Sequence, residues 1–322
     1  MSGGGKSGGP GAGYGHRVRN APRRALLVAL AGFTVLAIGD AVVKSMADLW
    51  PGSAMAALRY LIGAAGLAIL VRTLHGRRAF VFPKPWVQLG RGLAVGTATA
   101  TFFLSLRVMP LADATAIVFT SPIWTVILSF LFLRERPKPA ILVSIMLASA
   151  GVLLILRPNV LAYGWEATLP LIAALAMACL FILNRRVGGL APVIVMQFVV
   201  AVMALPILFM LALLGHFSGD PSQLVTWPHW SVVLRCFVVA VTATLGHWCI
   251  FRATELASAA TIAPMTYVQL LVAVIAGALF FGDFPTLTMA GGAALIISGG
   301  LWLWRAQRPR EPRDASEAAA PP

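Results

Sequence analysis

The sequence predicts an all-α polytopic membrane protein, with ten transmembrane helices arranged as two inverted five-helix repeats. Three observations lead to this fold class. Apolar residues make up 59% of the 322 positions and charged residues only 11%, whereas soluble domains are about a quarter charged. So few charges cannot clothe a soluble surface, and the mean hydropathy of +0.86 agrees. The apolar residues gather in ten stretches near the ~20 residues that a helix needs to cross the hydrocarbon layer. Short motifs also recur at a spacing of 145 to 149 residues, the mark of an internal duplication.

Five stretches fill the first half: Ala25 to Met46, Ser53 to Val71, Gly92 to Val108, Ala112 to Leu133 and Ala140 to Leu156. The second half holds Ala167 to Leu183, Val193 to Leu214, Val232 to Phe251, Ala257 to Phe281 and Met289 to Trp304. Trp50, Trp86, Trp165, Trp227, Trp230 and Trp304 flank them, where indole rings favour the membrane–water interface. The first stretch is longer than a signal-peptide core and carries Asp40 and Lys44, so it is expected to be retained. The expected organisation is a basic disordered tail over residues 1–24, repeats over 25–157 and 165–305, and a second tail over 306–322. Gly90, Gly92, Gly96 and Ala100, and Gly291, Gly292, Ala293 and Gly299, form small-residue faces suited to close helix packing.

The net charge of +14 follows topology rather than nucleic-acid binding. With the N-terminus in the cytoplasm, 20 of the 25 Lys and Arg fall inside and only Arg107, Arg157 and Arg235 outside, as the positive-inside rule requires. Both termini are then cytoplasmic, in a bacterial inner membrane. Cys179, Cys236 and Cys249 lack metal-type spacing and read as small apolar side chains. Gly3 to Ser7 imitates part of a phosphate-binding loop but lacks the leading glycine and strand. No metal, cofactor or catalytic set is expected.

The repeat is seen in Pro110-Leu-Ala-Asp-Ala114 and Glu255-Leu-Ala-Ser-Ala259, in Glu135-Arg-Pro137 and Asp283-Phe-Pro285, and in Ser149-Ala-Gly151 and Ser298-Gly-Gly300. Five crossings are an odd number, so the second copy enters the membrane in the opposite sense. The charges agree: Arg134 to Lys138 is a basic loop, while its echo around Asp283 has neither Lys nor Arg. Inverted repeats underlie two exchangeable conformations in many secondary transporters.

On these motifs the chain resembles the drug/metabolite transporter superfamily, in particular its EamA-type ten-helix members. The resemblance runs from about Ala25 to Trp304. It is carried by Ala112-Asp-Ala-Thr-Ala-Ile-Val-Phe-Thr-Ser-Pro-Ile-Trp124, by Leu133-Arg-Glu-Arg-Pro137, and by the run from Ala257 through Pro264 and Tyr267 to Phe281-Gly-Asp-Phe-Pro285. Phe33, Asp40-Ala41, Lys44, Pro51 and Arg59 look most like the subgroup of S-adenosylmethionine and riboflavin uptake carriers. The resemblance implies transport of a small organic metabolite, such as a cofactor, vitamin, amino-acid-like compound or metallophore.

Seven polar or aromatic residues inside the spans are the candidate path-lining or substrate-binding positions: Asp40, Lys44, Arg59, Trp124, His247, Tyr267 and Gln269. Asp40 and Lys44 are four apart, on one helix face, and are expected to pair, either along the path or as a packing ion pair. Arg59 has the planar fork that suits an anionic group or an acidic partner. His247 titrates near neutral pH when unperturbed and serves either proton coupling or packing. Trp124 could stack on a planar substrate or fill the core. Tyr267 and Gln269 offer hydrogen bonds but point in different directions from one helix. Arg91 reads as an interfacial anchor at the cytoplasmic start of the third span.

The expected partners are a small-molecule substrate, the lipid bilayer and a coupling proton or other ion, with no nucleic acid. The competing class is a polytopic membrane enzyme or assembly scaffold, against which stand the lack of a nucleophile and base set and of an extramembrane domain.

Overall fold

The structure is a computed structural model that describes residues 21–46, 49–105, 108–109, 111–157, 163–281 and 286–307, with backbone alone at 111, 112 and 281. Residues 1–20 and 308–322 of the tails, Arg107, Pro110 and the Asp283 to Pro285 motif lie outside the described residues, while α1 already begins at Pro22 within the expected first tail.

The first repeat contains α1 (Pro22–Lys44), α2 (Gly52–His75), α3 (Pro85–Ser105), α4 (Leu111–Val118), α5 (Ser121–Leu133) and α6 (Pro139–Leu156). The second contains α7 (Thr168–Val187), α8 (Val193–His216), α9 (Trp230–Leu256), α10 (Ala259–Ile262), α11 (Val268–Ala276) and α12 (Leu287–Ala306). Proline opens α1, α5 and α6, where its missing N–H is one that the first turn leaves unpaired anyway. Ser258 and Thr286 cap α10 and α12 through their hydroxyls, satisfying a backbone donor that the helix cannot.

The fourth span is made of α4 and α5 together, interrupted at Phe119 and Thr120 just before Pro122. The ninth span is broken in the corresponding place, where the 3-10 turn Ala263–Tyr267 around Pro264 separates α10 from α11 before a π turn at Gly277–Phe281. Hydropathy alone predicts two continuous helices here. The proline nitrogen lacks a donor and its ring crowds the preceding turn, so the break follows from Pro122 and Pro264.

Among the described residues, nine segments are long and apolar enough to cross a membrane, and α3 is the tenth crossing. This helix begins at Pro85 rather than Gly92, because Gln88 and Arg91 are buried within the bundle and find polar partners there.

The contacts between repeats obey a pseudo-two-fold relation. Helix α1 packs on α9 as α7 packs on α3; α11 lies on α1 as α5 lies on α7; and α2 lies on α9 as α8 lies on α3. The pairs α2 with α8 and α6 with α12 are their own counterparts. Two of these seams depend on glycine. A Cβ added at Gly151 would lie 2.5 Å from the carbonyl oxygen of Gly292, and one at Gly292 would lie 2.6 Å from that of Gly151. At the α1–α9 seam, a Cβ on Gly32 or on Gly246 would stand 2.9 Å from the other's carbonyl oxygen. The lipid offers no hydrophobic drive for helix association, so such close backbone contact supplies much of the cohesion.

Candidate functional site

A cavity of about 60 Å³ lies between α2, α3, α7, α8 and α9, so both repeats build its walls. Its polar lining comes from Arg59 and Tyr60 on α2, Arg91 on α3, Asn184 on α7, Gln197 on α8, and Thr244 and His247 on α9. Small residues beside them, including Gly63, Ala201, Ala240 and Ala243, leave the space open.

Arg91 departs furthest from the sequence expectation. It is not an interfacial anchor, because it is 1% exposed. Its Nε donates to Asn184 Oδ1 at 2.7 Å, while Nη1 donates to Gln88 Oε1 at 2.5 Å and to the Met196 carbonyl at 3.2 Å. The guanidinium also lies 5.1 Å from the centre of the Phe251 ring. These acceptors offset the hydration that burial removes, and the arrangement joins α3, α7, α8 and α9. Gln88 three residues before Arg91 on one helix face, and an Asn inside an apolar span, are the sequence signals for this cluster.

The structure brings Arg59 and His247 into one cavity. The Arg59 guanidinium lies 5.3 Å from the centre of the Tyr60 ring. The His247 carbonyl accepts a hydrogen bond from Gln197 Nε2 at 3.1 Å. Asp40 accepts from Gln269 Nε2 on α11 at 3.3 Å. Lys44 is exposed in the last turn of α1, beside Ser45, whose carbonyl accepts from Arg235 at 2.8 Å.

Tyr267 and Gln269 do point apart. Tyr267 is 0% exposed, with its hydroxyl 2.9 Å from that of Ser149 and its ring against Phe119, so in this conformation it braces α6 and the α4–α5 break. Trp124 is half-buried on α5.

Two apolar clusters pack in the half of the bundle that carries the α5–α6 and α7–α8 connections. One holds Phe33, Val126, Phe181 and Leu303, and the other Val71, Val187, Met196 and Phe251. Polar ties reinforce them: Arg185 pairs with Glu135 at 3.4 Å and donates to the Thr254 carbonyl at 2.7 Å. Glu255 accepts from the Gly189 backbone at 2.9 Å. Near the opposite end, the loop residue Tyr163 donates to Asp113 at 2.7 Å, and this bond to the carboxylate holds the phenol above its ordinary pKa.

A membrane bundle of two inverted repeats with a cavity between them that ionisable side chains reach has the architecture of a secondary transporter. The chain belongs to the EamA-like transporter family, which matches residues 23–157 and 164–305. Its activity class is therefore small-metabolite transport, and the family and the relatives' names are those of transporters rather than enzymes. The chain is similar to a riboflavin transporter of Rhizobium johnstonii, at 29% identity over 72% of this chain and 74% of that protein. It is also similar to an S-adenosylmethionine uptake transporter of Rickettsia prowazekii, at 24% identity over 83% and 87%. A pseudopaline exporter of Pseudomonas aeruginosa is 26% identical over 85% of this chain and 93% of its own. One crystal structure superposes with a TM-score of 0.71 at 20% identity, covering 88% of this chain and 99% of that one; it shares the fold.

Proposed function

We propose that the protein is a secondary carrier that moves a small organic metabolite across a bacterial inner membrane by alternating access of its two repeats, residues 25–157 and 165–305. The observation that carries this reading is the cavity walled by both repeats and lined in part by Arg59, Arg91, Asn184, Gln197 and His247, since rocking one repeat against the other changes which end of such a cavity is open. The end that carries Glu135, Arg185 and Glu255 is cytoplasmic in the topology that the loop charges favour, with both tails on the same side.

In this reading Arg59 and His247 line the path directly. Asp40 with Gln269, Lys44 and Trp124 belong to its outer wall, and Tyr267 supports the ninth span behind it. The relatives' substrates, riboflavin, S-adenosylmethionine and pseudopaline, outline the size of cargo in view. A proton or other ion supplies the coupling. Flux by the purified protein in sealed vesicles tests the proposal. Movement of an unaltered solute supports it, and chemical conversion of a solute without movement overturns it in favour of a membrane enzyme.

A further inference from the structure

We propose that the cavity between α2, α3, α7, α8 and α9 is a subsite for an anionic group of the transported molecule, a carboxylate or a phosphate, with Arg59 as the side chain that pairs with it. The proposal rests on the reading of this cavity as the path and goes beyond it by assigning the charge of the cargo.

The charge inventory carries the argument. Among the described residues, the cavity lining includes two guanidinium groups and an imidazole and no Asp or Glu. Arg91 donates through Nε and Nη1 to Asn184, Gln88 and the Met196 carbonyl, all neutral acceptors that hold the guanidinium in place without cancelling its charge. Arg59 differs: among the described residues its guanidinium meets the face of Tyr60 and makes no hydrogen bond or ion pair. Asp40 on α1 accepts from Gln269 and is not among the residues that line the cavity. Even with Asp40 counted, the two arginines leave one positive charge in excess.

A cation inside the membrane normally faces a partner or a water-filled path. In a water-poor cavity its attraction for an anion is far stronger than in bulk water. The planar fork of Arg59 suits bidentate pairing with a carboxylate or phosphate, and Thr244 on the facing wall adds a neutral hydroxyl. A neutral planar molecule could stack on Tyr60 but would leave the excess charge uncompensated.

The test is the melting temperature of the purified full chain in detergent. It is measured against succinate, glutamate and inorganic phosphate, with riboflavin as the neutral comparison, in the wild type and in Arg59→Gln. The expected result is a concentration-dependent rise with at least one anion, with apparent affinity weakened about tenfold to a hundredfold in Arg59→Gln, the range for a charge-assisted bond. Stabilisation that survives Arg59→Gln unchanged overturns the assignment, as does stabilisation by riboflavin alone or by none of the solutes. Arg59→Lys, which keeps the charge, guards against misfolding of the glutamine variant and should retain part of the anion effect.

A parallel measurement separates this claim from the reading beneath it. After removal of the three native cysteines, Ala243→Cys is treated with a membrane-impermeant thiol reagent. Labelling without anion binding leaves the path standing and removes the anion subsite; a folded Ala243→Cys variant that takes up no reagent removes the path itself.

Discussion

Gln269 on α11 donates to the carboxylate of Asp40 on α1 across 3.3 Å, joining residues 229 positions apart and the first span of one repeat to the ninth of the other. At the 145-residue spacing of the Pro110 and Glu255 motifs, the first-repeat counterpart of Gln269 is Trp124. The duplicated positions have therefore taken different chemistry, polar in one half and aromatic in the other.

Asp40→Asn removes the charge while keeping an acceptor for Gln269. Its melting temperature should stay near that of the wild type, while vesicle flux should fall at least about tenfold, equivalent to about 1.4 kcal/mol in the barrier. Gln269→Leu instead leaves the carboxylate without its amide and, because the bond is exposed, should cost no more than about 0.5–1.5 kcal/mol of stability. Full flux in both variants would remove this pair from the mechanism.

The seam between α6 and α12 depends on Gly151 and Gly292, whose backbones leave no room for a Cβ. Gly292→Val should destabilise the protein by at least about 1–3 kcal/mol, the usual scale of overpacking. Gly300→Ala, with nothing within 4 Å of its Cβ position, should be tolerated. Thermal melts of the two variants make the comparison, and equal melting temperatures would contradict the packing described.

Glu135→Gln breaks the ion pair with Arg185, whose partly exposed geometry limits the stability loss to about 1 kcal/mol or less. Its effect should show in conformational balance instead. A cysteine placed at Asn184 should become more reactive towards a polar reagent from the cytoplasmic side when Glu135 is neutralised. Unchanged reactivity would show that the ion pair does not set that balance.

Topology is checked independently of transport. A reporter fused after Arg313 should be cytoplasmic, and a label at Asp220, in the segment between α8 and α9, should be reached from outside. A C-terminus on the periplasmic side would contradict the orientation.

Periodicity and composition make the ten crossings and the inverted repeat legible, because a bilayer demands long apolar helices whatever else the sequence carries. The breaks at Phe119–Thr120 and Ala263–Tyr267 are signalled by Pro122 and Pro264, yet hydropathy alone runs straight through them. The site is harder to read. Arg59 and His247 stand out as ionisable residues in apolar spans, but nothing local says that α2 and α9 bring them to the same cavity. Arg91 looks interfacial in the sequence because its partners Asn184 and Met196 are 93 and 105 residues away; burial of a charge becomes tolerable only through such distant acceptors. The i,i+4 spacing makes Asp40 and Lys44 a natural pair, whereas the approach of Gln269 to Asp40 comes from tertiary packing that no local spacing signals.

The most direct test of alternating access through the inter-repeat cavity is solute flux in sealed vesicles for the wild type beside Ala243→Trp. This substitution places an indole in the space that Ala243 leaves open. The account predicts flux of an unaltered solute by the wild type, and its loss in a variant that still purifies as a folded protein. Wild-type flux persisting undiminished through Ala243→Trp would contradict it.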